Sequence, residues 1–406
     1  MGLFNDGSKT TSTALAASAT SAAVTATATC PSDAFFDTAT EPVVGDHSFD
    51  DLAKIIAGAC TIFTTVVCFG LCFLHLVNYR VRSEQRQIAR IVLTPAIISI
   101  FEFFGIWKPD ASGFLKPIGE YYDALALVSL YLLFQTLATP SESRGSPNVL
   151  FNNLPDLYAA HAFNNAKGNQ LSSYYRTWWA VFQIVPVRAV MVIATMAVYG
   201  TICDQLKDSN RLYTIISAIT TISTVICFLA VIRLMKYINP SLKGHSPVMK
   251  TVSLKGLVAF SVALQLVMSI LKSANAIHPS SKMSKIDWFI TFPSLLTCGV
   301  SVIFAVLIVS PYWISPYTAK SLPGAQKTGF FRAAVDLVNF TDILFVGLAR
   351  LPSAVANWKR KGALDEQATY RKAPGSESGP VLPPPVYSSY GRQENNYEMN
   401  EQPRRY

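Results

Sequence analysis

Apolar positions along this chain fall into long continuous runs separated by short polar, basic stretches. A helix needs about 20 mostly apolar residues to cross roughly 30 Å of hydrocarbon. Seven stretches qualify: Leu52 to Val77, Ile88 to Trp107, Ile118 to Leu137, Trp178 to Cys203, Leu212 to Met235, Val252 to Leu271 and Ile286 to Val309. The runs lack the period-two alternation of a barrel strand. In lipid every backbone N–H and C=O must then be paired inside its own segment, which makes these runs helices. Glu102, Asp123 and Lys255 interrupt the second, third and sixth runs. The pattern predicts an all-α polytopic membrane protein with seven transmembrane helices.

The flanks read differently. Residues 1–50 are rich in Ser, Thr and Ala and hold no apolar signal-peptide core, so the first span is its own insertion signal. After Val309, Ser310-Pro311 and Ser315-Pro316 break the helical pattern. From Gly329 to Leu348, Arg332, Asp336 and Asn339 recur on one side. Phe330, Phe331, Val335, Leu337, Val338, Phe340, Leu344 and Phe345 supply an apolar side, which predicts an interfacial amphipathic helix. From about Ser353 onward Glu, Gln, Ser, Pro, Asn and Tyr dominate, too polar to bury a core. The chain therefore divides into a disordered extracytoplasmic tail at 1–50, a seven-helix domain at 51–316, an interfacial helix at 317–352 and a disordered Pro-rich tail at 353–406.

Composition supports a membrane protein, since half of the 406 residues are apolar, 15% are charged and mean hydropathy is +0.31, against about a quarter charged in soluble domains. The net charge of +9 resides in loops and tails. Twelve cations (Arg80, Arg82, Arg86, Arg90, Arg144, Lys167, Arg176, Arg233, Lys236, Lys243, Lys250, Lys255) flank one side of the spans and seven (Lys108, Lys116, Lys207, Arg211, Lys272, Lys282, Lys285) the other. The richer side is cytoplasmic by the positive-inside rule. The N-terminus is then outside and the C-terminus cytoplasmic.

Nucleic-acid binding would need a basic face on a soluble fold, whereas these cations flank apolar spans. No G-x-S-x-G, H-E-x-x-H, Walker loop or dinucleotide fingerprint is present, and the five histidines are scattered, so neither an enzyme nor a cofactor is expected. The seven cysteines lack metal-ligand spacing. Cys30 and Cys203 fall on the oxidising side, which allows a disulfide between them.

Ionisable residues inside spans are costly and mark functional sites. Arg188 lies roughly 15 Å into the fourth span, near the midplane, where an unpaired guanidinium costs at least about 2.5 kcal/mol. It needs an acidic partner, and Glu102 and Asp123, both roughly 7 Å below the outer surface, are within reach of its stem. Pro186 frees the carbonyl of Phe182 and kinks the same span beside Gln183. Gln265 in the sixth span joins the set as an interhelical hydrogen-bonding residue. These five side chains are the candidate solute pathway, with a structural ion pair as the competing reading.

The run His75-Leu76-Val77-Asn78-Tyr79 followed by Glu84-Gln85-Arg86-Gln87-Ile88-Ala89-Arg90-Ile91 resembles the first-loop signature of the organic solute transporter alpha-subunit family, which includes the transmembrane-protein-184-like proteins. Tyr122-Asp123-Ala124 is similar to that family's Tyr-Glu-Ala, Gln183 and Arg188 to its Gln-x-x-x-x-Arg-Pro, and Pro247, Lys250 and Lys255 to its Pro-x-x-Lys-x-x-x-x-Lys. Arg82 and Ala189 stand where the family usually has Pro, and Gln265 lies one place beyond the expected Gln. The likeness runs from about Leu52 to Pro316. It implies a seven-helix solute carrier moving steroid-like or other amphipathic anions, or lipids, by facilitated diffusion, with a small single-span partner subunit or as a homo-oligomer. The membrane would be the plasma membrane or an endosomal or vacuolar one. A trafficking scaffold or regulator, and a seven-helix receptor, are the alternatives on fold-level analogy; the Asp-Arg-Tyr and Asn-Pro-x-x-Tyr elements of G-protein-coupled receptors are absent.

In the tail, Pro384, Pro385 and Tyr387 form a Pro-Pro-x-Tyr ligand for WW domains. A WW-bearing ubiquitin ligase is the implied partner, with Lys359, Lys361 and Lys372 upstream as acceptors.

Overall fold

The computed structural model describes residues 41–138, 151, 170–201, 211–238, 247–274, 280–284, 286–322 and 324–359. The described residues are mostly helical, without a β-strand among them. The principal helices are α1 (Phe49–Val77), α2 (Arg82–Val92), α3 (Thr94–Trp107), α4 (Ser112–Ala138), α5 (Gln170–Phe182), α6 (Ile184–Thr201), α7 (Arg211–Ile238), α8 (Pro247–Ser273), α9 (Phe292–Val309) and α10 (Phe330–Val338). They make seven spans long and apolar enough to cross a membrane: α1, α2 with α3, α4, α5 with α6, α7, α8, and a π turn Asp287–Thr291 with α9.

Two of the spans are stacked pieces rather than single rods, and proline explains both. Pro95 sits in the first turn of α3, where its missing N–H and ring end the α2 ladder at Leu93. Pro186 does the same one turn after Gln183, the residue at which α5 gives way to α6. The first and seventh spans open with the same device. Ser48 and Asp51 cap each other's backbone reciprocally at α1, and Ser284 and Asp287 do so before the π turn. Deeper in, the Thr61 hydroxyl meets Ser99 Oγ at 2.8 Å and Cys298 Sγ at 3.7 Å, tying α1, α3 and α9 together.

α4 is the hub, packed against α2, α3, α5, α6, α7 and α8. Its best apolar window has the lowest hydropathy of the seven spans, yet 89% of that window is buried, against 28–61% in the others. Shielded there by other helices, α4 can carry the buried Asp123 at a tolerable cost, provided it finds a partner. It begins at Ser112 rather than Ile118, because Pro117 falls early in the helix and is accommodated there.

The α4 start is held against α6 at Gly113. A Cβ there would overlap the Tyr199 ring, whose hydroxyl donates to the Pro109 and Asp110 carbonyls at 3.2 and 2.9 Å. Gly113→Ala should therefore lower stability by about 1–3 kcal/mol, read as a lower Tm of the solubilised protein. Gly70→Ala, where a Cβ meets nothing, should leave Tm unchanged.

After α9 the chain does not form one continuous interfacial helix. α10 ends at Val338 with Asn339 as its cap, a π turn follows at Asp342–Gly347, and a further helical stretch covers 351–359. α10 packs on α1 and α2, and Gly347 lies so close to Phe182 that a side chain there would overlap the ring.

Candidate functional site

The first half of α4 carries an ionic ladder. Lys116, Glu120 and Asp123 follow one another at helical spacings of four and three, which puts them on one face, about 6 and 4.5 Å apart along the axis. Each meets a different helix. Lys116 Nζ lies 3.5 Å from Glu102 Oε2 of α3, Arg188 Nη1 of α6 lies 2.9 Å from Glu120 Oε2, and Lys255 Nζ of α8 lies 3.3 Å from Asp123 Oδ1. The partners expected for Arg188 are thus corrected. It pairs with neither Glu102 nor Asp123, because α4 starts earlier than its hydropathy indicates and turns Glu120 toward α6.

Depth is corrected with it. Asp123 lies at the middle of the span Pro109–Ala138, Arg188 at the middle of Tyr174–Gly200, and Lys255 near the middle of Pro247–Met268. Lys255, counted above among the loop cations, is instead 5% exposed inside the bundle. The three groups lie near the middle of their spans, with Cys227 of α7 buried close to all of them.

The ion pairs of these groups differ in what they cost and in what they contact. Asp123 and Lys255 are both almost fully buried. Arg188 is also buried, with a second donation from Nη2 to Thr224 Oγ1 at 3.0 Å, but its Nε has no hydrogen-bond partner. Its partner Glu120 has 43% of its side-chain surface open. Gln183, at the break between α5 and α6, accepts from Ser223 Oγ at 3.1 Å through Oε1 and donates to the Ser223 and Ala180 carbonyls. The Gln265 side chain lies outside the described residues. Glu120, Thr224 and Ser223 were missed from sequence; Glu120's spacing from Lys116 and Asp123 is the signal that could have found it.

The first-loop motif forms a second cluster, around α2. Gln85 is fully buried and closes the loop between α1 and α2, accepting from the Arg80 and Val81 N–H groups at 2.7 and 2.9 Å and donating to the His75 and Asn78 carbonyls. Asn78 caps α1 by donating to the Leu74 carbonyl. The remaining motif residues reach the segment beyond α9. His75 Nε2 lies 2.8 Å from the Tyr312 carbonyl, and the Tyr317 hydroxyl donates to Glu84 at 2.8 Å. Tyr79 and Arg82 meet Asp336. Burial, and then the Asp336 carboxylate, push the Tyr79 hydroxyl above the usual phenol range, so it remains a donor.

Arg90 is the centre of this cluster. It is fully buried, its two terminal nitrogens each lie 3.1 Å from an Asp342 oxygen, it donates to the Leu337 and Asn339 carbonyls, and the Phe340 ring stacks 4.5 Å from its Cζ. Arg86 reaches the same carboxylate at 3.1 Å. The motif is therefore a dock for residues 312–342.

Among the described residues no cluster of His, Cys, Asp and Glu could hold a metal ion. Cys30, Cys203 and the tail residues Pro384, Pro385 and Tyr387 lie outside the described residues.

A family model described as organic solute transporter Ostalpha matches residues 53–317. The vacuole membrane protein HFL1 of Saccharomyces cerevisiae is 23% identical over 287 residues, covering 70% of this chain and 67% of that protein. No solved structure matches the chain.

Proposed function

We propose, starting from the fact that this chain belongs to the organic solute transporter Ostalpha family, that it passes amphipathic organic anions across its membrane by facilitated diffusion beside α4. It is a multi-pass membrane protein, and its likeness to a vacuole membrane protein favours the vacuolar or endosomal membrane. The observation that carries the reading is the Arg188–Glu120 pair. Glu120 lies eight residues, about 12 Å, into α4, and yet 43% of its side chain is open. A carboxylate facing hydrocarbon costs up to about 2.5–3.5 kcal/mol, the value at the bilayer centre. A water-accessible crevice removes that cost.

In such a crevice Glu120 acts as a resident anion on Arg188. A carboxylate or sulfonate of the solute replaces it by forming the same charge-assisted hydrogen bonds, while Thr224 keeps the guanidinium oriented. The solute's apolar body follows the hydrophobic walls of the spans. Asp123 and Lys255, buried and mutually neutralised below, add a polar pair without presenting a free charge. No coupling ion enters this scheme, in keeping with downhill movement.

The orientation with the N-terminus outside rests on the cation count, as does a cytosolic tail. A small single-span partner subunit or a second copy fits the lipid-facing spans, and the tail motif fits a WW domain. A tail peptide covering 363–406 should bind isolated WW domains with micromolar affinity, and Tyr387→Ala should remove that binding; equal binding by both peptides would exclude the motif.

Purified protein in liposomes, loaded and screened over sterol conjugates and other amphipathic anions, tests the function. Saturable efflux down the gradient, inhibited by a competing anion, is expected. Fluxes equal to those of empty liposomes for every anion would leave a scaffold as the better reading.

A further inference from the structure

Large apolar side chains on α10 and the following π turn stand open in a pattern that packing within the chain does not explain. Phe331, Val335 and Val338 are 83%, 67% and 72% exposed and recur at spacings of four and three, so they form one stripe. Phe345, 72% exposed, extends it beyond the break at Asn339. On the opposite side Ala333 and Asp336 are buried against α1 and α2. The stripe joins the exposed apolar surface of α1. Phe330 at its start packs at 5.6 Å on Phe73, itself 54% exposed on α1, a membrane span.

The polar groups around the stripe are of one sign. Between 317 and 359 the chain carries five cations and two carboxylates, Asp336 and Asp342. Both carboxylates are consumed inside, on Arg82 and on Arg86 with Arg90. Lys320, Lys327, Arg332 and Lys359 are exposed. An apolar stripe rimmed by outward cations at the end of a membrane span fits a leaflet rich in anionic phospholipid: side chains enter the acyl boundary while Lys and Arg meet headgroup phosphates.

We propose that α10 and the π turn after it are an anionic-lipid binding surface, seated in the leaflet next to the inner end of α1 and held there by Asp336 and Asp342. Lipid is the occupant argued for, ahead of a soluble protein or a second copy, since the stripe is continuous through Phe330 and Phe73 with the exposed apolar surface of a membrane span and is rimmed by cations.

Full-length protein in nanodiscs, spin-labelled at Val335→Cys, Val338→Cys or Arg332→Cys, with the unsubstituted chain labelled in parallel, tests this. In discs containing phosphatidylserine, oxygen accessibility at 335 and 338 should exceed that of a water-soluble nickel chelate several-fold, and the ratio should reverse at 332. In phosphatidylcholine alone the ratio at 335 should fall. Lys327→Gln with Arg332→Gln should abolish the difference between the two lipids. Greater nickel than oxygen access at 335 and 338, an unchanged ratio in the two lipids, or spin–spin broadening at 335 that reports a second copy would each overturn the proposal.

Discussion

Asp342→Ala should remove most of the folded protein from the membrane. The carboxylate is the shared partner of Arg86 and Arg90, and Arg90 has no exposed surface through which to rehydrate. Losing one member of a buried ion pair costs about 3–5 kcal/mol, a large share of the roughly 5–15 kcal/mol that holds a typical protein folded. The expected measurements are a collapsed monodisperse peak on detergent solubilisation and rapid proteolysis beyond α9. A companion variant separates charge from shape. Arg90→Met with Asp342→Leu removes both charges at similar volume and should recover much of the fold, as buried pairs exchanged for apolar side chains often do. Recovery will be incomplete, because Arg90 also satisfies the carbonyls of Leu337 and Asn339. Normal yield and Tm for Asp342→Ala alone would mean that the segment after α9 does not dock on α2.

The second large effect is expected at the midplane. Asp123 and Lys255 are 4% and 5% exposed, so Asp123→Ala and Lys255→Met should each cost about 3–5 kcal/mol by stranding the other charge. The double variant should fold better than either single one, with a coupling energy of about 0.5–3 kcal/mol in a double-mutant cycle by Tm or denaturant titration. Glu120 behaves differently because it is open. Arg188 is the buried member of that pair and Glu120 the open one, so Arg188→Gln removes the buried charge and leaves behind a carboxylate that water can reach. Arg188 variants should therefore remain folded, which makes their transport readable. Additive losses at 123 and 255 would show that the two charges do not meet.

Much of this architecture is written in local pattern. The seven spans follow from runs of apolar residues, and the break in the fourth from Pro186, since both are properties of adjacent residues. Arg188 was legible as a functional candidate for the same reason: a cation in the middle of an apolar run needs a partner. Which partner was not legible, because the choice depends on where α4 starts and how it rotates. Lys116, Pro117 and Glu120 depress hydropathy at the start of α4 and hid its first turns. They are tolerated there because Lys116 and Glu120 are paired with Glu102 and Arg188 of the neighbouring helices. Lys255 illustrates the same limit: it interrupts the sixth apolar run, and its partner Asp123 comes from a different helix.

The first-loop motif was legible as a signature but its role was not. Tyr79, Arg82, Glu84, Arg86 and Arg90 act on Asp336, Tyr317 and Asp342, more than 230 positions away along the chain. No periodicity reports a pairing at that distance. The amphipathic pattern after α9 foretold an apolar and a polar side, but not that Asn339 would break the helix or that the polar side would be spent on α2.

If Arg188 receives the solute's anionic group in competition with Glu120, variants at these two positions should have opposite effects. Initial rates of anion efflux from proteoliposomes, measured over a range of solute concentration for wild type, Arg188→Gln and Glu120→Gln, supply the comparison, with Tm of each preparation as the check on folding. Arg188→Gln should abolish saturable flux with Tm within a few degrees of wild type. Glu120→Gln should lower KM several-fold, because the resident competitor has gone, and a slower release from Arg188 should lower kcat. Wild-type KM and kcat in a folded Arg188→Gln protein would contradict the account.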